Sequence, residues 1–96
     1  MQLILHFDDA PGKADARRTH MADHLAFLEA QGPAIRAAGP LLGEAGGAVG
    51  GLWLVDLPSF AAARTLVRAD PFWEAGLRGD VRIHAWRTVF ENGRRL

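Results

Sequence analysis

Residues 52–72 read LWLVDL-PS-FAAARTLVRAD-PF, and the reading of this stretch decides the fold. Leu52 to Leu57 is an apolar run of strand length. Pro58-Ser59 then opens a helix with Ser59 as N-cap, because a hydroxyl there accepts a hydrogen bond from an otherwise unpaired backbone N–H. Phe60, Ala63 and Val67 recur at helical spacing and make its apolar stripe. Asp70-Pro71 ends the helix, since proline pushes the preceding residue out of the helical region. Phe72 to Leu77 has room for one further helical turn.

Working back towards the N-terminus, Gly43 to Gly51 is glycine-rich and predicts a mobile hairpin connection. Ile35 to Leu42 (IRAAGPLL) contains Gly39-Pro40, which places it as an edge strand. Ala14 to Ala30 is helical, with Met21, Leu25 and Leu28 at i, i+4 and i+7 and Gly32-Pro33 as the stop. Gln2 to Phe7 (QLILHF), closed by the turn formers Asp8 to Gly12, predicts a central strand. Towards the C-terminus, Val81 to Phe90 alternates, with Val81, Ile83 and Ala85 on one face and Arg82, His84, Trp86 and Thr88 on the other. The order β-α-β-β-α-β predicts an α+β, ferredoxin-like domain over residues 1–96. Its four-stranded antiparallel sheet would have strand order 4-1-3-2 and two helices on one face. The bare face would carry large side chains such as Trp53 or Trp86, and an exposed apolar sheet face marks an interface. A homodimer formed through that face is therefore expected.

Composition points the same way. A chain of 96 residues buries a modest core, and with no cysteine it has no disulfide to supplement it. Oligomerisation is the remaining route to stability. The eleven Lys and Arg are matched by eleven Asp and Glu, so the basic excess that neutralises nucleic-acid phosphates is missing. No apolar run approaches the roughly 20 residues of a membrane span, and Met1 to Phe7 lacks a basic region and a cleavage site. The cytoplasm is the expected compartment. Gly46-Gly47 and Gly50-Gly51 lack the strand-before, helix-after context of a dinucleotide loop, and no G-x-S-x-G elbow is present, so no cofactor is expected.

Four histidines are the side chains best suited to proton transfer. His20 and His24 lie at i, i+4 on one helix, a metal-compatible spacing, but Met21 stands where a zincin would have glutamate. No metal site is expected, and His20 reads as a surface residue. His6 and His84 fall on strands that should be antiparallel neighbours, where they would form a packed, hydrogen-bonded cross-strand pair. His24 sits at the edge of the apolar stripe, a place where a histidine usually has a fixed partner. Asp70 reads from residue type either as a helix terminator or as a carboxylate aimed at the sheet edge.

Arg17-Arg18, His24-Leu25-Ala26-Phe27-Leu28, Ala38-Gly39-Pro40-Leu41 and Asp70-Pro71-Phe72 with Ala75-Gly76-Leu77 occur in order along the chain. Together, and with the ending through Trp86, Val89 and Phe90, they resemble the YciI-like (YCII-related) family over essentially the whole length. That resemblance implies a dimeric α+β barrel and an active site on the histidine of the His-Leu block and the aspartate of the Asp-Pro block, which are His24 and Asp70 here. The family is similar to muconolactone-isomerase-like barrels and includes a dehydrochlorinase acting on a chlorinated hydroxyquinol. Relatives often carry arginine three positions before the histidine, where this chain has Met21. A substrate anion would then fall to Arg17 or Arg18, or the ligand would carry less charge.

Two functional readings follow. In the first, a pocket lies between the first helix and the sheet, closed by the Gly43–Gly51 loop and in part by the dimer partner. His24 is general acid or base, Asp70 orients its imidazole, and Phe72, Trp73 or Trp53 lines the pocket for a small cyclic or aromatic acid. Isomerisation, lactone chemistry or HX elimination would proceed there without cofactor. In the second, the protein is a non-catalytic small-ligand-binding or accessory dimerisation module, and His24–Asp70 is a structural tie.

Overall fold

The computed structural model describes residues 1–96. Strand β1 (Gln2–Asp9) leads to helix α1 (Ala14–Ala30), then through a 3₁₀ turn (Gly32–Ala34) to β2 (Ile35–Leu42) and β3 (Ala48–Asp56). Helix α2 (Phe60–Ala69), the one-turn α3 (Pro71–Glu74) and β4 (Arg78–Ala85) complete the domain, and a terminal hairpin pairs β5 (Phe90–Glu91) with β6 (Arg94–Arg95). The main sheet is antiparallel with order β2-β3-β1-β4, the ferredoxin-like arrangement. No helix is long and apolar enough to cross a membrane.

Local signals place these boundaries. The Ser59 hydroxyl accepts from the Ala62 N–H at 3.0 Å and starts α2. Gly32 takes φ +59° just past the end of α1, a conformation that costs glycine least. Period-2 alternation then divides β1. Leu3, Leu5 and Phe7 are fully buried under the helices, while Ile4 and His6 face the other way. Trp53 and Val55 from β3, with Ala63 and Val67 from α2, complete the central cluster, and Phe27 and Leu28 of α1 pack against it. The Phe7 and Trp53 rings meet at 4.8 Å between centroids.

Several expectations need correction. Trp53 is on the helix-covered face and 1% exposed, whereas Trp86 does stand on the open face, beside Ile4, Leu52 and Leu54. Leu52-Trp53-Leu54-Val55 is apolar on both faces, so alternation could not choose between them. The glycine-rich stretch is only in part connection: the turn spans Gly43 to Gly47, and Gly50 and Gly51 lie within β3. Gly50 is there because a Cβ would come within 2.0 Å of the Phe7 carbonyl oxygen.

On α1, the residue that turns fully inwards is His24; Leu25 is half exposed. His6 does not pair with His84. The β1–β4 register sets His6 opposite Arg82, whose guanidinium meets His6 Nδ1 at 2.9 Å, and puts His84 opposite Ile4. Finally, the last strand stops at Ala85. β1 begins at Gln2 and offers no partner beyond the Trp86 N–H, and the chain instead closes a hairpin at Asn92-Gly93, both with positive φ.

Candidate functional site

His24 and Asp70 meet although 46 residues separate them in sequence. His24 Nδ1 lies 2.8 Å from Asp70 Oδ1, with the imidazole side chain 9% exposed and the carboxylate 2% exposed. A carboxylate only accepts, so Nδ1 carries the proton and donates it. The same Oδ1 accepts from the Phe72 N–H at 3.2 Å, which makes Asp70 the N-cap of α3 as well. One oxygen of Asp70 thus caps α3 and meets the imidazole. Phe72 stacks on the imidazole at 4.0 Å between centroids and 13° between planes, holding the ring's orientation. Nε2 makes no protein hydrogen bond and is not among the sealed-off polar atoms, so it is left for a ligand.

His24 borders a cavity of about 100 Å³ between α1 and the sheet. Arg17 and Met21 of α1, Gly39 and Pro40 of β2, Trp53 of β3 and Arg78 of β4 form much of the rest of its wall. For scale, a dry cavity of about 150 Å³ accommodates benzene. At about 100 Å³, the hollow of the single chain is somewhat smaller. Trp53 lines it; Phe72 lies behind the histidine; Trp73 is 42% exposed over a separate outer hollow with Phe60 and Arg64. Met21 also borders the cavity.

The two arginines of the Arg17-Arg18 pair part company. Arg17 reaches inwards, donating to Asp9 Oδ2 at 2.6 Å and to the Gly50 carbonyl at 3.3 Å. Arg18 is 71% exposed and pairs with Asp15 on the outer surface of α1. His20 lies beside an outer hollow with Asp23, and no group of three metal-ligating side chains converges anywhere.

Sequence reasoning missed Arg78 and Asp9. The Arg78 side chain is 3% exposed, with its guanidinium carbon 4.2 Å from the centre of the Phe7 ring and 5.1 Å from that of Phe72. Its Nη1 lies 3.5 Å from Asp9 Oδ1, and its Nε is buried without a partner. Burial pushes this guanidinium below its ordinary value, with Asp70 and Asp9 pulling it back up. Asp9 was legible, because alternation from Leu3, Leu5 and Phe7 carries it to the inner face. Arg78 was not. Counting back from Ile83 and Val81 puts it on the open face, and only the bulge at Asp8/Asp9, which pairs Arg78 with Asp9, turns it inside.

Comparison with known proteins adds the following. The YCII-related domain family matches residues 1–87. The solved structure of 5-chloro-2-hydroxyhydroquinone dehydrochlorinase from Burkholderia phenoliruptrix AC1100, in complex with 2,5-dihydroxybenzoquinone, superposes with a TM-score of 0.84. The two chains are 29% identical, over 91% of this chain and 94% of that one. An uncharacterized NIPSNAP domain protein from Burkholderia xenovorans is a weaker likeness, with a TM-score of 0.48 and 16% identity over 96% of this chain and 100% of that one. No curated protein matches the chain.

Proposed function

The chain belongs to the YCII-related family, and from that membership and the site's geometry we propose that it is a small-molecule enzyme using His24 and Asp70 for acid–base chemistry on a small cyclic or aromatic acid. The observation that carries this reading is the buried 2.8 Å contact of His24 Nδ1 with Asp70, which leaves Nε2 as the free nitrogen beside the cavity. Asp70 fixes the tautomer and the ring plane; Nε2 takes a proton from the ligand and returns it to the product or leaving group. Such a shuttle serves isomerisation, lactone chemistry or elimination and needs no cofactor. The likeness to a dehydrochlorinase favours elimination. Loss of HCl from a chlorinated hydroxyhydroquinone breaks the C–Cl bond, its electron pair leaving with chloride. One hydroxyl proton moves to the ring carbon that chloride leaves, a second hydroxyl proton passes to Nε2, and the ring is left as a hydroxybenzoquinone with two carbonyls.

The test is chloride release from 5-chloro-2-hydroxyhydroquinone, alongside a panel of small lactones and cyclic acids. Wild type should turn over one member, and His24→Gln should lose about 10²–10⁴-fold of that rate. Turnover that survives in His24→Gln overturns the acid–base role. The dual duty of Asp70, which caps α3 with the oxygen that meets His24, favours the second reading, a binding module with a structural tie. Ring-ligand binding without turnover of any panel member would decide for it.

The same reading has the protein act in the cytoplasm as a homodimer joined through the open sheet face. Ile4, Leu52, Leu54 and the 44% exposed Trp86 support it, being an apolar surface that one chain leaves in water. Sedimentation should give twice the chain mass, and Trp86→Asp should shift it towards one.

A further inference from the structure

Arg17 and Arg78 share a single counter-charge. Asp9 offers Oδ2 to Arg17 at 2.6 Å and Oδ1 to Arg78 at 3.5 Å, so this triad holds one positive charge in excess. Asp70, the other carboxylate nearby, is committed to His24 and to the Phe72 N–H. Burying a cation is costly, and a guanidinium with an unpartnered buried Nε calls for a reason. Packing is a poor one, since an apolar side chain would fill the space between Phe7 and Phe72 at lower cost.

The position is also built. The Asp8/Asp9 bulge turns Arg78 under the helices, and Gly51 makes room, since a Cβ there would stand 3.0 Å from Arg78 Nη1. Both arginines border the cavity that His24 borders, along with Trp53. A guanidinium fork matches a carboxylate or a pair of ring oxygens better than a point charge does.

We propose that Arg78, with Arg17, forms an anion-receiving subsite in the His24 cavity, and that the ligand is a single planar ring recognised through an ionised oxygen, a carboxylate or a phenolate. The inference rests on the cavity being the ligand site, not on His24 moving a proton. It makes Arg78 the residue that sets specificity.

Benzoate and benzamide, nearly equal in shape and different in charge, are the probes. Titration of the full-length protein at low salt should show benzoate binding at least roughly tenfold tighter than benzamide. Arg78→Gln should bring the ratio close to one without weakening benzamide, and Arg17→Gln should lower it in part. Gly51→Ala, which keeps both charges and crowds Nη1, should also reduce it. Should Arg78→Gln fail to fold, the NMR signal of the Arg78 Nε–H in wild type decides, and it should move with benzoate and stay with benzamide. Equal affinity for the two probes, absence of saturable benzoate binding, or a preference that leaves the Arg78 signal unmoved would each overturn the subsite. Neither probe is turned over, so the outcome is separate from the acid–base reading. His24→Gln should keep the benzoate preference while losing any turnover.

Discussion

Replacing Asp70 by Asn and by Ala separates the two duties of its Oδ1. The Asp70→Asn side chain keeps an acceptor for the Phe72 N–H and loses the charge that faces His24 Nδ1. The Asp70→Ala side chain loses both. A buried hydrogen bond to a charged group is worth about 1.5–3 kcal/mol, and an N-cap about 1 kcal/mol. With the carboxylate 2% exposed and the imidazole 9% exposed, solvent screens little of this. Asp70→Asn should therefore cost about 2 kcal/mol and Asp70→Ala about 3 kcal/mol. Urea denaturation at one fixed protein concentration reads both, because association would otherwise shift the midpoint. The double mutant His24→Ala/Asp70→Ala completes a cycle whose coupling should exceed about 1 kcal/mol. Additivity within about 0.5 kcal/mol would refute the reasoning, as would an Asp70→Ala cost below about 1 kcal/mol. Either result would mean that the 2.8 Å contact is not an energetic link between α1 and the start of α3.

Gly50→Ala should be among the most damaging single changes, costing about 3 kcal/mol or more, because the new methyl has backbone rather than a movable side chain in its way. Thermal melts would show it, and a wild-type melting temperature would count against the close approach of β3 to β1. Ser59→Ala should cost about 1 kcal/mol by loss of the α2 cap, measured in urea; no change would mean that the Ala62 N–H finds water instead. Arg78→Met should be neutral within about 1 kcal/mol or stabilising, since Asp9 keeps Arg17, while Asp9→Ala should cost about 3 kcal/mol by leaving two buried cations unpaired. The reverse order in paired denaturation curves would show Arg78 to be a structural cation. His6→Ala should stay within about 0.5 kcal/mol, because its contact with Arg82 is exposed on a single chain; a larger loss would point to burial of that face in an assembly.

The site was legible in pieces of unequal kind. His24 and Asp70 came together through the resemblance of ordered blocks, since nothing in their spacing says that α1 packs on α3. Arg17 was named with Arg18, and only the direction of each side chain from the helix separated them: one reaches Asp9 under the sheet's end, the other Asp15 in water. Trp53 was named as a pocket residue and also as a bare-face residue. It lines the cavity from the covered face, because the helices settle on the side that offers Leu3, Leu5 and Phe7.

By itself the sequence determined what short-range chemistry governs. The order of strands and helices, the Ser59 cap, the stop at Asp70-Pro71 and the turn at Gly32 all depend on residues within a few positions of one another. Tertiary structure alone decided the β1–β4 register, which gives His6 to Arg82 rather than to His84, and the one-residue bulge that sends Arg78 inside. The reason is that a strand's side chains alternate with a period of two. A two-residue slip keeps every face, so alternation does not choose between Arg82 and His84, whereas one extra residue at the bulge exchanges faces and turns Arg78 inside. Which slip occurs depends on the summed burial of both strands against the helices, and no local segment carries that sum.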